Sequence, residues 1–363
     1  MKGFYNFMKH NTILITGGAG FIGSNLSVYF KEKYPKIRVI ALDNLKRRGS
    51  ELNLTRLKDA GIEFIHSDIR NSEDFPQIEY DAMIECSAEP SVLSGYDGNP
   101  LYVVNTNLTG TINCLENARK QKADIIFLST SRVYPYERIN EIKTIEEKTR
   151  FIWKEGQDIK GWSQEGVTED FPIEGPRSLY GASKLCSELI LQEYISMYGL
   201  KAVINRCGVI AGPWQFGKVD QGVFTLWMLA HYFKKENLKY IGFRGSGKQV
   251  RDLLHIEDLF NLVDMELKNM NRVNGKIYNA GGGKDISLSL LETTKICQEI
   301  TGNIISIGKE SGTRPADMTI YIGDNRRVTS ETEWTPTHSA KKILEDIYKW
   351  IKDYESALSK ALF

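Results

Sequence analysis

The stretch Thr12-Ile13-Leu14-Ile15-Thr16-Gly17-Gly18-Ala19-Gly20-Phe21-Ile22-Gly23 sets the architecture of this chain. Its first five residues form an apolar run typical of a buried parallel strand. Glycines follow at positions 17, 20 and 23, and a helix is predicted from Ser24 to about Tyr34. A glycine turn between a strand and a helix N-terminus lets backbone N–H groups approach a pyrophosphate. We therefore predict a dinucleotide-binding turn, although its spacing is GxxGxxG rather than GxGxxG. Its predicted contact residues are Gly17, Gly20, Phe21, Ile22 and Gly23.

Four more apolar runs follow, separated by helical or polar segments. We predict strands at 38–42, 63–66, 81–86 and 123–128, and a helix at about 100–121. Alternating strands and helices favour an α/β fold, a Rossmann-type doubly wound parallel sheet. Ligands of such sheets bind at the carboxyl ends of the strands.

Asp43 ends the second strand, 20 residues after Gly23. A carboxylate there accepts hydrogen bonds from the adenosine ribose and repels a 2′-phosphate, which favours NAD over NADP. The basic loop Lys46–Arg48 weakens that exclusion, unless it is only a solvated surface loop. Asp68 fits either the adenine edge or the cap of a helix. The other predicted cofactor residues are Asn44, Ile69, Ser87, Ala88 and Asn107, the last with a structural role near the site.

A second informative stretch is Tyr180-Gly181-Ala182-Ser183-Lys184, near the start of a predicted helix from Leu179 to Tyr198. Residues four apart share one helical face, so the Lys184 ammonium is expected near the Tyr180 phenol. A nearby cation lowers the pKa of a phenol from about 10. The pair is a candidate proton shuttle for oxidising an alcohol or reducing a ketone. Alone, the spacing also fits an ordinary amphipathic helix.

Bulk composition argues against other classes of protein. The 363 residues carry 47 basic and 46 acidic side chains, which gives no reason to expect nucleic acid or an anionic membrane as a partner. Five scattered cysteines without CxxC or CxxH spacing predict reduced thiols in the cytoplasm and no metal site. We expect Met1–Asn11 to be a short disordered extension and not a secretory signal. His255 is expected to stabilise a turn or cap a helix.

These motifs together resemble the extended short-chain dehydrogenase/reductase family, and the likeness covers about Thr12 to Trp350. It implies a Rossmann domain that binds NAD and a smaller C-terminal α/β domain that binds a nucleotide sugar. It also implies that Thr130, Tyr180 and Lys184 form the catalytic set. We place the first domain at 12–205, with some later segments returning to it, and the second mainly at 206–350. The polar segment Pro135–Pro176 is either a lid or a variable decoration.

The residues after Thr130 separate the subfamilies. In the sugar-nucleotide 4,6-dehydratases of this family, Asp and Glu follow the threonine and carry out the elimination. Ser131 and Arg132 follow it here, which disfavours a dehydratase. The segments Gly212–Phe216, Asp220–Gly222 and Gly245–His255 instead resemble the CDP-tyvelose (CDP-paratose) 2-epimerases in order and spacing.

The resemblance also implies a substrate site. Arginines in the contexts of Arg251 and Arg314 clamp the sugar diphosphate in the family, whereas ion pairs with Asp252 and Asp317 are the structural alternative. The predicted substrate-binding residues are Ser131, Arg132, Gln215, Gln221, Arg251 and Arg314.

The predicted reaction is an NAD-dependent epimerisation of a nucleotide sugar, with a CDP-sugar favoured, by transient oxidation and re-reduction on the opposite face. The reaction is expected to serve the biosynthesis of sugars for cell-surface polysaccharides, such as the lipopolysaccharide O-antigen. The alternatives are a 4-epimerase or 4-reductase of the same family, or a non-catalytic protein that binds NAD and nucleotide sugars. The family further implies a homodimer or higher homo-oligomer through the helices that carry Asn107 and Lys184.

Overall fold

A seven-stranded parallel sheet forms the centre of the computed structural model, which describes residues 7–96, 99–217 and 221–362. Asp220 of the predicted substrate loop lies outside these residues. The strands in chain order are β1 Thr12–Thr16, β2 Arg38–Asp43, β3 Glu63–His66, β4 Ala82–Glu85, β5 Asp124–Thr130, β6 Thr144–Glu146, β7 Phe151–Trp153, β8 Trp162–Ser163, β9 Gly166–Val167, β10 Ala202–Cys207, β11 Val209–Ala211, β12 Lys239–Ile241, β13 Val250–His255, β14 Ile277–Ala280, β15 Ser287–Ser289, β16 Gly308–Glu310 and β17 Ile320–Tyr321.

Helices cover the sheet and build the later part of the chain. They are α1 Phe21–Lys33, α2 Asn53–Asp59, α3 Pro100–Val104, α4 Gly110–Gln121, α5 Tyr136–Glu141, α6 Leu179–Tyr198, α7 Val223–Tyr232, α8 Ile256–Lys268, α9 Met270–Val273, α10 Leu290–Thr301, α11 Arg326–Thr332, α12 Ala340–Asp353 and α13 Glu355–Leu362. Single turns of 3-10 helix lie at Ser50–Leu52, Ser72–Asp74, Ser131–Val133 and Phe243–Gly245.

The strand order of the central sheet is β14–β10–β5–β4–β1–β2–β3. Its neighbours all run parallel, so the predicted Rossmann-type fold is confirmed. β1 pairs with β2 on one side and with β4 on the other, which makes its carboxyl end the point where the strand order reverses. The glycine turn leaves from this point. Asp43 and Thr130 are each the last residue of their strand.

The predicted helix at 100–121 is interrupted by a π-helical turn at Asn105–Thr109. Asn107 sits in this turn, and both ends of its side-chain amide bond the protein. Its Oδ1 accepts from the Glu89 N–H at 2.7 Å, while its Nδ2 donates to the Glu89 carbonyl and to Ser183 Oγ. Through Asn107, the widened turn thus connects the loop after β4 to helix α6. Single π-helical turns of this kind are frequent at functional sites.

Helix α6 has the predicted bounds. The Ser178 side chain caps its first turn by accepting the Gly181 N–H, and Gly199 ends it in a left-handed conformation. Gly181 lies against the backbone of Arg132, where a β-carbon would overlap the carbonyl oxygen of Arg132. Glycine therefore lets the start of α6 approach the end of β5.

The later chain returns to the central sheet and also forms a core of its own. β14 pairs with β10 at the edge of the sheet. A separate apolar cluster joins α7, α10 and α12 with residues of β13. The division into 12–205 and 206–350 stays a prediction.

The described part of the N-terminal segment is anchored, so the predicted disorder is wrong for its last residues. His10 is buried and its Nε2 lies 2.9 Å from Asp124 Oδ2, while the Asn11 N–H donates to Asp81. These contacts tie the segment to strands β4 and β5. Within the described ranges, no helix has the length and apolarity needed to cross a membrane.

Candidate active site

A cavity of about 690 Å³ extends from the glycine turn to the later part of the chain. It opens at the carboxyl ends of the central strands, where the sequence predicts the site. The predicted residues on its wall are Gly17, Gly20, Phe21, Ile22, Gly23, Ala88, Thr130, Ser131, Arg132, Tyr180, Lys184, Gln215, Gln221, Arg251 and Arg314.

The glycine turn has the form that a dinucleotide phosphate needs. Helix α1 begins at Phe21, and Gly20 before it offers no side chain to cap the first turn. A β-carbon on Gly23 would overlap the Gly17 carbonyl oxygen, so only glycine permits this close turn. The helix N-terminus faces the cavity with its positive dipole end. These residues therefore fit the phosphates of NAD.

Asp43 supports the glycine turn from the end of β2. Its carboxylate accepts the Ala19 N–H at 3.1 Å and the Leu45 N–H at 2.8 Å. Burial raises its pKa, which these backbone hydrogen bonds partly offset. Asp43 lies at the end of β2 beside the cavity, but it is not one of the described residues that line the cavity wall.

The neighbouring strand end carries the Asn44–Asp68 pair. Asn44 Nδ2 donates to Asp68 Oδ2 at 3.0 Å, and the Arg70 guanidinium holds the pKa of Asp68 at about 2. The alternative that Asp68 caps a helix is wrong, because Asn71 caps the short helix that follows. Of the predicted cofactor residues that the structure describes, those that do not line the cavity are Asp43, Asn44, Asp68, Ile69, Ser87 and Asn107.

Thr130 and Tyr180 both line the cavity. The Thr130 hydroxyl is close enough to the Tyr180 phenol to lower its pKa, and it accepts the Arg132 N–H at 3.2 Å. Burial raises the pKa of Tyr180, and the Lys184 ammonium and the Thr130 hydroxyl offset only part of that rise. Lys184 thus acts on the phenol in the predicted direction, but the cost of burial, which the sequence analysis did not weigh, is larger.

Lys184 has a partner that the sequence analysis missed. Its Nζ lies 3.3 Å from Glu85 Oε2, and both side chains are buried. The ammonium also lies 4.4 Å from the centre of the Phe127 ring. The sequence did contain one indication of this ion pair. Glu85 is a charged residue at the end of the otherwise apolar strand β4, and buried charged residues are usually paired.

Arg132 and Arg251 lie near each other on the cavity wall. Arg132 Nη1 donates to the Ala316 carbonyl at 3.0 Å, and burial lowers its pKa to about 10. Arg251 Nη2 pairs with Asp317 Oδ1 at 2.7 Å. The ion-pair alternative thus holds for Arg251 and Asp317, although both side chains still line the cavity. Asp252 is buried and accepts the Gly323 N–H instead.

The two predicted glutamines differ in their availability. Gln215 donates to the Ile210 carbonyl and accepts from Thr225, so its amide holds the loop together. Gln221 Oε1 is buried on the cavity wall and has no hydrogen-bond partner in the described chain. A ligand hydroxyl or amino group would satisfy it.

The sequence leaves alternatives open for two loops. Arg47 and Arg48 border the cavity and are not only a solvated loop. The segment 135–176 packs on β13 and β17, and its Arg150 forms an ion pair with Glu292 of α10. None of its described residues lines the cavity in this conformation, and its role as a lid or a decoration stays a prediction.

His255 caps α8, as one of its predicted roles requires. Its Nδ1 accepts the Glu257 N–H at 3.2 Å. His338 and Asp346 lie close enough for the three side chains to surround an ion. Because Nδ1 of His255 is an acceptor, its Nε2 carries the ring proton and offers no lone pair to a metal. The cluster therefore suits a capping role.

A Rossmann sheet, a phosphate-binding glycine turn and a Thr–Tyr–Lys group in one cavity define an NAD-dependent enzyme. The chain belongs to the NAD dependent epimerase/dehydratase family, whose sequence model matches residues 13–281. The predicted family, NAD as cofactor and the isomerase class are confirmed at this level.

Two curated relatives and one solved structure illustrate the similarity. The chain is 33% identical to CDP-paratose 2-epimerase of Salmonella typhi over 93% of its own length and 98% of the relative. It is 26% identical to dTDP-glucose 4,6-dehydratase of Mycobacterium tuberculosis over 95% and 94% of the two chains. The structure of UDP-glucuronic acid 4-epimerase from Bacillus cereus, in complex with UDP-glucuronic acid and NAD, superposes with a TM-score of 0.75. The two share 25% identity, and 94% of this chain and 99% of that chain are covered.

Proposed function

We propose that this protein is an NAD-dependent epimerase of a nucleotide-diphosphate sugar, with a CDP-sugar as favoured substrate and C2 as favoured centre. The observation that carries the proposal is the shared cavity. It is lined by Thr130 and Tyr180, with Lys184 one helical turn away, and by Arg132, Arg251 and Arg314. The similarity to a CDP-paratose 2-epimerase supports cytosine as the nucleobase of the substrate and C2 as the carbon that is inverted.

The residues after Thr130 favour epimerisation over dehydration. Ser131 and Arg132 line the cavity directly beyond Thr130. A guanidinium stays protonated and cannot act as a base, and a serine hydroxyl is a weak acid. An elimination needs both an acid and a base beside the sugar. This pair supplies neither, which separates the chain from a dehydratase.

The proton transfers are assigned to Tyr180. Its phenolate Oη takes the proton of a sugar hydroxyl while a hydride leaves the same carbon, which becomes a ketone. NAD⁺, when bound, supplies the hydride acceptor and then the hydride donor. The keto-sugar then rotates in the cavity and presents its other face. A hydride is added to that face of the carbon, and the phenol returns its proton to the ketone oxygen. The carbon is inverted, and no net oxidation occurs.

Other side chains position the substrate. Arg251 and Arg314 are assigned to the diphosphate, where planar guanidinium groups bind two oxygens at once. The unpartnered Gln221 Oε1 is assigned to a donor group of the substrate. The ion pair of Arg251 with Asp317 fixes the orientation of that guanidinium before substrate arrives.

A panel of CDP-, UDP-, GDP- and dTDP-sugars, incubated with the protein and NAD in D₂O, tests the proposal. The expected product is a CDP-sugar inverted at one carbon that keeps its hydrogen, seen by NMR. Stoichiometric use of NADH would indicate a 4-reductase, and inversion at C4 a 4-epimerase. Deuterium at the inverted carbon would point to enolisation and contradict the hydride route. No turnover of any sugar would favour a protein that only binds.

The assembly and cellular setting are also proposals. Exposed apolar side chains on α3 and α6, among them Leu101, Leu189 and Met197, support a homodimer through these helices. Light scattering is expected to show a dimer that Leu189→Lys weakens. The free cysteines suit a reducing compartment such as the cytoplasm, and synthesis of a cell-surface polysaccharide sugar is the proposed role.

A further inference from the structure

Glu85 is a fully buried carboxylate at the end of β4, in the middle of the central sheet. The rest of this strand, Ala82–Ile84, is apolar. An ionised group is stable in such surroundings only when an opposite charge and hydrogen bonds compensate it. The general mechanism of proton transfer by Tyr180 does not require a carboxylate here. Its presence therefore needs its own explanation.

The contacts of Glu85 point to Lys184. Oε2 lies 3.3 Å from Lys184 Nζ. The other oxygen, Oε1, has no hydrogen-bond partner among the described residues. Glu85 thus sits behind Lys184, while Lys184 and Tyr180 reach the cavity wall.

Among the described residues, Lys184, Arg132 and the Cys207 thiol act on the Tyr180 phenol, while Lys184 and the Cys86 and Cys114 thiols lie near Glu85. Burial raises the pKa of each of these three thiols, so they are neutral at physiological pH. Of these groups, Lys184 and Arg132 are cations and Glu85 is the carboxylate.

We propose that Glu85 is a positioning residue that controls the ionisation of Tyr180 through Lys184, by holding the ammonium and offsetting its charge. The inference rests on the proposed function. An epimerase must take a proton and give it back, so its acid–base group works best when both forms are accessible near the working pH. Lys184 lowers the pKa of Tyr180 and favours the phenolate. By offsetting the charge of Lys184, Glu85 acts in the same direction as burial and favours the protonated phenol, the form that must be restored at the end of each turnover.

Titration of Tyr180 tests this inference directly. The tyrosinate absorbance of the full-length protein is followed against pH, and the curve of Tyr180→Phe is subtracted to isolate one phenol. Glu85→Gln is expected to lower the pKa of Tyr180 by about one unit, as loss of a nearby charge typically does. The acidic limb of the kcat/KM profile should move the same way, with about tenfold more phenolate at a given pH below the pKa.

The sign of the shift separates this role from a merely structural one. If Glu85 only kept the helix in place, its loss would free Lys184 from the phenol, and the pKa of Tyr180 would rise. A rise or no change in Glu85→Gln overturns the proposal. If Glu85→Gln does not fold, Glu85→Asp replaces it, because this variant keeps the charge at a shorter reach. The pKa of Tyr180 is then expected to fall by a smaller amount, and a rise of that pKa would again contradict the proposal.

Lys184→Met shows whether the effect passes through Lys184. Adding Glu85→Gln to that variant is expected to leave the Tyr180 titration unchanged, and a full shift there would overturn the assignment. The titration is measured on protein without sugar, first without and then with NAD. It therefore remains informative if no sugar is turned over, an outcome that counts against the proposed epimerase activity alone.

Discussion

Gly181 and Arg132 touch through their backbones, and this contact brings the start of α6 to the end of β5. We expect Gly181→Ala to separate the two elements, because its β-carbon would overlap the Arg132 carbonyl oxygen. Overpacking of this kind destabilises a protein by about 1–3 kcal/mol. The rate of turnover should also fall, since the closeness of Tyr180 to Thr130 depends on the same approach of α6 to β5. Urea unfolding and initial rates measure both, with the exposed Cys186→Ala on α6 as the control. A variant with unchanged rates would show that the contact is dispensable.

Tyr180→Phe should remove turnover and leave NAD binding intact. The change deletes only the hydroxyl that moves the proton, and loss of a general acid–base group typically costs about 10²–10⁴-fold in rate. Rates and NAD titrations should be compared with Tyr198→Phe, a half-exposed position on the same helix. Near-normal rates in Tyr180→Phe would assign the proton transfer to another group.

Arg314→Ala should weaken binding of the nucleotide sugar. The guanidinium lies on the cavity wall, and hydrogen bonds to charged groups contribute about 1.5–3 kcal/mol. The expected loss is roughly 10–100-fold in affinity, with NAD binding unchanged. Calorimetry with the CDP-sugar and with NAD measures the two separately. Arg138→Ala removes an exposed arginine outside the cavity and should change neither. Equal sugar affinity in the two variants would place the diphosphate elsewhere.

Glu266→Gln should stabilise the protein at high pH. Glu266 is buried on α8, and desolvation raises its pKa to about 8 from an ordinary value near 4.5. The folded state therefore keeps a proton that the unfolded chain loses, and stability from this group is full below about pH 4.5 and is lost as pH rises to about 8. The neutral amide avoids that loss, so we expect a gain of roughly 1–3 kcal/mol at pH 9 and little difference near pH 5.

The stabilisation is measured by urea unfolding at several pH values. The control is Glu193→Gln, which makes the same substitution at an exposed position on α6. A Glu266→Gln protein that is less stable than the parent at pH 9 would mean that the ionised carboxylate is tolerated in this site.

The sequence predicted those parts of the structure that have local causes. The apolar run of β1 with its glycines, and the helix from Leu179 to Tyr198, are each set by neighbours along the chain. Thr130 ends β5, two residues beyond the predicted strand 123–128, at the edge where the ligands of parallel sheets bind. The widened turn at Asn107 also has a local cause that is visible in the sequence, because asparagine is unfavourable inside a helix.

The remaining features depend on partners that are distant in sequence. Glu85 and Lys184 are 99 positions apart, and no short pattern joins them. The pairing of Arg251 with Asp317 could be named only as an alternative. The pKa of Tyr180 could not be predicted in direction, since it is the difference between the cost of burial and the attraction of cations.

The return of β14 to the central sheet has a consequence for the synthesis of the chain. β10 ends at Cys207, and the strand that covers its edge begins only at Ile277. A ribosome therefore completes all of β13 and α8 before that edge is paired. Until then a newly made chain presents an unpaired parallel strand, which is prone to join other chains. The high sequence separation of this pair should make closure of the sheet edge a late event in folding.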